Sequence, residues 1–469
     1  MTNSNHDHHA QGKDLSTDLT KGPILNQLWS LAWPMMLSVF FYTLYNLVDA
    51  YWVSKISPQA IAAVGISQVT LMITMSIGFG ITVGSGVIMS MNIGAKNHKE
   101  AERILGQSFV LAILLGIFFT ILSLTFRNDL LTASGATGAI FEPAKEYFNI
   151  VAGGSVLLFL LINIMFAFNA QGDTNTLTKL FALSTLVNLV LDPIMIFGWL
   201  GFPAMGIAGA AVATLISQLV FIVIAIRSLG GKHRSIRFHF SNLTFKWESV
   251  KAVLKIGLPA ALTQVIYPVG LAALTYLTAL RFLEPGTIAL SLGLRVEFFA
   301  FLPAVGFGFA AMAMIGQNLG AGNLNRAKEV LSKALKYGFC AAAGLGVLVA
   351  IFAVPIVHAF TTDPQVVKDT VSYLRIVALL SYGLLALAMI EANAFQALGK
   401  SWPGFWIFFL RFVVITLPLT YILTSVLDYP IIAVWISIVI GSLISAVIGY
   451  FWIRNHMTKK DLEQVPVHA

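Results

Sequence analysis

Asn92-Ile93-Gly94-Ala95-Lys96-Asn97 is answered 226 residues later by Asn318-Leu319-Gly320-Ala321-Gly322-Asn323. Two further stretches repeat in the same order. Leu31-Ala32-Trp33-Pro34 returns as Ile256-Gly257-Leu258-Pro259, and Phe168-Asn169-Ala170-Gln171-Gly172-Asp173-Thr174 returns as Phe395-Gln396-Ala397-Leu398-Gly399-Lys400-Ser401. A frame that recurs in the same order at nearly one spacing along the whole chain is the mark of a duplicated bundle. The acids are not duplicated with it: Asp49 and Asp192, both deep in apolar stretches of the first copy, align with Leu274 and a position close to Leu417 in the second. The expectation is shared mechanics with a one-sided ion site.

Composition sets the solvent. Apolar residues make up 57% of the chain and charged residues 11%, against about 25% charged in an ordinary soluble domain. This is the composition of an all-α polytopic membrane protein. The net charge of +8 is scattered through short loops beside apolar segments rather than gathered on one domain, so it reads as membrane topology and no nucleic-acid partner is expected. Cys340 is the only cysteine, which excludes an intramolecular disulfide, and its apolar surroundings predict a packed small hydrophobe. The polar N-terminal stretch lacks a signal peptide's apolar core, and the first apolar run is long enough to remain as a span.

Hydropathy places twelve spans near 26–53, 61–90, 105–126, 146–169, 177–198, 206–226, 252–280, 287–316, 332–357, 371–397, 403–426 and 431–453. Loops after even-numbered spans, together with both termini, hold most of the Lys and Arg residues, among them Lys96, Lys99, Arg103, Lys232, Arg234, Arg237, Arg326, Lys328, Arg454 and Lys459. That side, with both termini, is expected to be cytoplasmic. The domain layout follows: a disordered cytoplasmic tail at 1–22, a six-helix lobe at 23–226, a basic cytoplasmic linker at 227–251, a second six-helix lobe at 252–454 and a tail at 455–469. An even number of spans lets parallel repeats follow one another without inversion.

Two motif readings fail on context. Asn5-His6-Asp7-His8-His9 has the composition of a metal tract but is better read as a polar tail. Gly78-Phe79-Gly80 and Gly84-Ser85-Gly86 sit inside an apolar span with no preceding strand and no Gly-Lys-Ser or Gly-Lys-Thr element, so no ATP site is expected. These glycines, and Gly306 and Gly308 in the second copy, suit close helix contact.

Ionisable groups at membrane depth are the sharper signal, since each costs about 2.5–3.5 kcal/mol at a helix centre. Tyr45 stands four residues before Asp49 and Asn188 four before Asp192, so each shares its acid's helical face. Pro193 cannot donate to the Leu189 carbonyl, which frees one more oxygen beside Asp192. Two carboxylates, an amide, a phenol and a carbonyl form a set suited to Na⁺ or a shared proton. The plainer alternative keeps Asp49 hydrogen-bonded near a membrane face and Asp192 at a bend before proline. In the second half Arg295, Glu297, Glu391 and Arg411 are the candidates, either as ion pairs (Glu297 with Arg411, Glu391 with Arg295) or in proton or substrate contact. Met72, Met75, Met89, Phe298, Phe299, Phe301 and Trp406 suit either an adaptable cavity for apolar cations or lipid-side packing.

On these residues, and on Gly209-Ala210-Ala211-Val212-Ala213-Thr214 and Gln317 to Gly322, the chain from about Pro23 to Arg454 resembles the multidrug and toxic compound extrusion family. The resemblance implies two six-helix lobes in a V and cation-coupled export of organic cations and other amphipathic toxins. It further implies that Asp49, Asn188, Asp192 and Thr214 belong to a cation site in the first lobe, with Tyr45 nearby. Tyr267 and Leu387 fall where some members carry acids in the seventh and tenth helices, so the chain is similar to the DNA-damage-inducible F-like branch, with first-lobe coupling. The expectation is a monomeric antiporter of the bacterial inner membrane that exchanges small amphipathic or cationic molecules for H⁺ or Na⁺, has no other cofactor and no enzymatic activity, and is surrounded by the lipid bilayer. One alternative is a flippase for lipids or lipid-linked oligosaccharides of the same superfamily. An intramembrane enzyme is the other, and it lacks a catalytic constellation within the spans.

Overall fold

The computed structural model describes residues 18–231 and 234–458. The histidine tract, Lys232 and Lys459, and most of both tails, lie outside the described residues. Helices α1 (Ile24–Ser54), α2 (Pro58–Gly94) and α3 (His98–Thr125) follow one another across short turns. After the short α4 (Arg127–Ala133), the fourth span is bent: α5 (Phe141–Gly153) and α6 (Ser155–Ala170) meet at Gly154, and the segments 138–153 and 155–170 diverge by 51°. The span expected at 146–169 covers only the later part of this bent pair. The adjacent glycines Gly153 and Gly154 supply the break, a common cause of sharp kinks. Helices α7 (Thr174–Phe197) and α8 (Ile207–Leu229) complete the first half.

The second half opens with a run of 74 residues, α9 (Trp247–Gly320), interrupted at Leu283, whose φ of 54° and ψ of −150° leave helical space. The expected loop between spans seven and eight is thus little more than one residue, because Pro285 at the start of the next helical segment needs no donor partner. Next come α10 (Leu324–Ile351), the short α11 (Ala353–His358) and α12 (Pro364–Tyr373), which passes through a π-helical turn at Leu374–Ala378 into α13 (Leu379–Ala397). The eleventh span comprises α14 (Trp402–Phe409), a π-helical stretch Leu410–Thr416, α15 (Leu417–Tyr421) and a second π turn Ile422–Val426. The last span is α16 (Ile432–His456). Among the described residues, ten helical runs are long and apolar enough to cross a membrane; counting the bent pair as one more span and α9 as two gives the expected twelve. At 1.5 Å per residue, α1 is about 46 Å long and exceeds an apolar layer of about 30 Å, so it tilts or projects.

The repeated motifs meet. A side chain on Gly94 would occupy the Gln317 carbonyl, and one on Gly320 would occupy the Met91 carbonyl, so α2 and the end of α9 cross with backbones touching, as close-packed spans with small residues do. The turns that follow are alike as well. Lys96 (φ 58°) holds the left-handed position that Gly322 (φ 75°) holds in the other copy, and Asn97 and Asn323 then cap α3 and α10 with nearly identical backbone angles. The N-terminal segment lies over this crossing. Leu19 is fully buried, its N–H donates to Gln317 Oε1 at 3.2 Å, and Asn318 Nδ2 donates to the Leu19 carbonyl at 3.1 Å. The connection after α8 also packs down: Ile236 is fully buried, and Arg234 forms a buried 2.6 Å ion pair with Asp173, the cap of α7.

Candidate functional site

Register between α1 and α7 builds the site. Thr178 Oγ1 donates to the Pro34 carbonyl at 2.6 Å, and Thr185 Oγ1 to the Phe41 carbonyl at 3.1 Å; both links span 144 residues and lie seven residues, two helical turns, apart. A constant offset means parallel packing with one face kept in contact. Carried on by two more turns, it sets Asp49 beside Asp192, and the two carboxylates act on each other electrostatically.

Both acids are buried, at 2% and 0% exposure. Asn188 Nδ2 donates to Asp192 Oδ1 at 2.9 Å, the i,i+4 contact expected from the spacing. Beyond that bond the site is a collection of unpaired oxygens: Tyr45 Oη, Asp49 Oδ1, Asn188 Oδ1, Asp192 Oδ2 and Thr214 Oγ1 are all inaccessible and without a hydrogen-bond partner. Buried polar atoms are ordinarily satisfied. Five such unpaired atoms converge from α1, α7 and α8. The phenol of Tyr45 approaches Thr214 without completing a bond of normal geometry, so Thr214 does join the cluster. Sequence reasoning missed Tyr147 on α5, which is 3% exposed and faces Asp49; no local signal distinguishes it from an ordinary core tyrosine. Among the described residues, no group of three or more His, Cys, Asp or Glu could hold a metal ion, and two carboxylates among neutral oxygens suit an alkali ion or a proton better than a transition metal.

The second-half residues are arranged otherwise. Glu297 is buried and accepts from the Tyr373 hydroxyl, and Arg411 is near enough to act on it electrostatically. Arg411 is 2% exposed, lies 5.0 Å from the Phe412 ring centre and 5.9 Å from that of Tyr267, and leaves its Nε and Nη1 unpartnered. It sits within a π-helical stretch and Tyr373 immediately before another, and such turns re-aim side chains out of the ordinary α-helical rows. Glu391 is fully buried with both oxygens unpaired, whereas Arg295 is exposed; the alternative pair of Glu391 with Arg295 is therefore not formed. Cys340 is exposed. The packed position expected for it is wrong because α10 turns that face outward beside Phe339, itself exposed.

Between the halves lie two adjoining cavities of about 200 and 440 Å³ that share Tyr42, Met75, Phe79, Gln264 and Met389. Met72, Phe298 and Phe301 also line them, while Met89 is core and Phe299 and Trp406 are exposed. Among the described residues, none that lines them is charged. Tyr42 joins cavity to oxygen cluster: its hydroxyl meets Met75 Sδ at 3.3 Å, and its ring stacks on Tyr45 with centroids 6.5 Å apart.

Twelve spans around a central cavity, with buried carboxylates off to one side, define a helical membrane transporter, and the cluster offers no catalytic constellation. Comparison narrows the class. The MatE family model matches twice, at residues 34–194 and 259–422, which are the two copies of the repeat, and the chain belongs to this family. It is 26% identical to a Thermotoga maritima protein described as "Probable multidrug resistance protein NorM", covering 89% of each chain. It is 29% identical to an "FAD transporter" of Shewanella oneidensis, covering 86% of this chain and 88% of that one. A solved structure described as the outward-facing conformation of a multidrug resistance MATE family transporter of the MOP superfamily superposes with a TM-score of 0.88 at 26% identity, covering 97% of this chain and 99% of the other. The protein is a multi-pass, non-enzymatic transporter with bacterial relatives, and takes small-molecule substrates.

Proposed function

We propose that the protein is an antiporter that exports amphipathic or cationic organic molecules in exchange for H⁺ or Na⁺, taken up at Asp49, Asn188, Asp192 and Thr214 with Tyr45. The observation that carries this is the convergence of five unpaired buried oxygens from three helices. A cation satisfies them and withdraws Tyr45 from its neighbours; because Tyr45 stacks on Tyr42, the cavity wall differs between loaded and empty states. Substrate and cation that favour opposite states are coupled without touching. An uncharged, Met- and aromatic-lined cavity supports broad selection by shape and polarizability. It speaks against a dianionic nucleotide cargo and against a pyrophosphate-bearing lipid, both of which need basic groups.

The same reading includes two lobes at 23–226 and 252–454 joined by a linker at 227–251, tails at 1–22 and 455–469, both termini in the cytoplasm of a bacterial inner membrane, and a working monomer. It places the chain in the DNA-damage-inducible F-like branch, on the strength of Tyr267 and Leu387 standing where other members carry acids. The test is transport in proteoliposomes under separately imposed pH and Na⁺ gradients, with a panel of cationic dyes. Uphill dye movement under one gradient is expected. Movement of a labelled phospholipid without any gradient effect on dyes would make the protein a flippase.

A further inference from the structure

We propose that the groove between α10 and α16, at the face carrying the chain termini, binds one anionic phospholipid. The groove encloses about 820 Å³ and is lined by Lys328, Lys336 and Arg454 at its rim, with Leu335, Phe339 and Leu387 in its wall. All three cations are exposed, and among the described residues none of them closes an ion pair. Their neighbour Lys333 differs, being tied to Glu329 at 2.7 Å. Among the described residues, no acid lines the groove.

Position decides the occupant. Lys328, Lys333 and Lys336 fall in the first half of α10, before the run Phe339 to Ile351 that carries no charge, and Arg454 lies in the last turn of α16. The rim therefore sits at headgroup level and the aromatic wall at acyl-chain level. Lysine and arginine stems reach from the apolar layer to the interface, and basic clefts between spans at that depth attract phosphate-bearing headgroups. A free phosphate would use the rim and leave Phe339 and Leu387 unoccupied, whereas a two-chain lipid fills both. Tyr450, 38% exposed and 3.4 Å from Arg454 Nη1, closes one side.

Cys340 lines the groove and is the sole cysteine, so it reports occupancy without interference. The full chain in nanodiscs of phosphatidylcholine, with or without phosphatidylglycerol, is reacted with a neutral maleimide. Phosphatidylglycerol should slow labelling at Cys340, and a Lys328→Gln, Arg454→Gln double variant should lose that protection, each removed charge weakening retention about fivefold. A Cys340→Ala, Val347→Cys variant places the thiol further along the same helix, on a side chain that is exposed and does not line the groove, and should label equally in both discs. Native mass spectrometry of the gently delipidated protein should retain phosphatidylglycerol over phosphatidylcholine. Four results would overturn the proposal: equal rates at Cys340 in the two discs; equal slowing at Val347→Cys; protection by inorganic phosphate in phosphatidylcholine discs, which makes it a free-anion site; or protection that disappears when residues 459–469 are deleted, which makes the tail the occupant.

Discussion

The two halves of this transporter handle buried charge in opposite ways. In the first, Asp49 and Asp192 lie together with unpaired oxygens around them and, among the described residues, no cation of the protein's own. In the second, Leu274 stands where the frame would put Asp49 and is fully buried among apolar neighbours, while Glu297 has a tyrosine donor and the permanent guanidinium of Arg411 nearby. One half must borrow its positive charge and the other carries it. A site that borrows can exchange, which is why the proposed function assigns transport coupling to the half where the charge is missing. Glu391, buried with both oxygens unpaired, is the one second-half acid that departs from this division.

The strongest way to break the comparison is to remove the exchangeable charge. Asp49→Asn and Asp192→Asn should each bring gradient-driven dye efflux in proteoliposomes down to the level of empty vesicles while leaving folding intact, with Glu391→Gln milder. Near-normal efflux from both aspartate variants alongside failure of Glu391→Gln would move coupling to the second half. Arg411→Met comes next. It removes the permanent positive charge that acts on Glu297 and should destabilise the fold, seen as a lower unfolding temperature in detergent, and adding Glu297→Gln should restore most of that loss. If Arg411→Met leaves stability unchanged but uncouples transport, the arginine is part of the exchange machinery and the contrast fails.

A smaller asymmetry separates the crossing motifs. Gln317 holds Leu19 N–H and the Ala170 carbonyl, the latter at 2.8 Å, whereas its repeat partner is Met91, which can do neither. Gln317→Met should cost about 1–2 kcal/mol and speed amide hydrogen exchange at Leu19 and its neighbours, with little change at the Met91 end. The smallest effect is expected at Lys96, the non-glycine in the left-handed turn whose counterpart is Gly322. Lys96→Gly should be neutral or stabilise by up to about 1 kcal/mol, read as a shift in unfolding temperature; a clear loss would mean that the lysine side chain holds the turn.

Much of this architecture was legible in the chain. Twelve spans follow from apolar runs, because no other backbone arrangement with these lengths satisfies its own hydrogen bonds in lipid. The repeat follows from motif spacing, and the family model's double match agrees with it. Pairing of Asn188 with Asp192 follows from helical periodicity, since contacts at i,i+4 are fixed by the chain's own geometry. The bend at Gly154 is visible in retrospect as a glycine pair; the near-continuous α9 is not, because Pro285 and Gly286 read equally well as a loop.

What lay beyond the sequence were the contacts between elements far apart in the chain. Tyr147 joins Asp49 from α5, Glu297 takes its donor from α12 and its cation from a π-helical stretch, and Arg295 turns outward from the partner that spacing offered it. Each depends on helix rotation and register, which are set by packing along the full length of two helices rather than by any local pattern. Sequence alone determined that the protein lives in a membrane, repeats itself and buries two acids in one half. Only the tertiary structure decided that those acids face each other without a counter-charge, because convergence in space depends on how the helices pack.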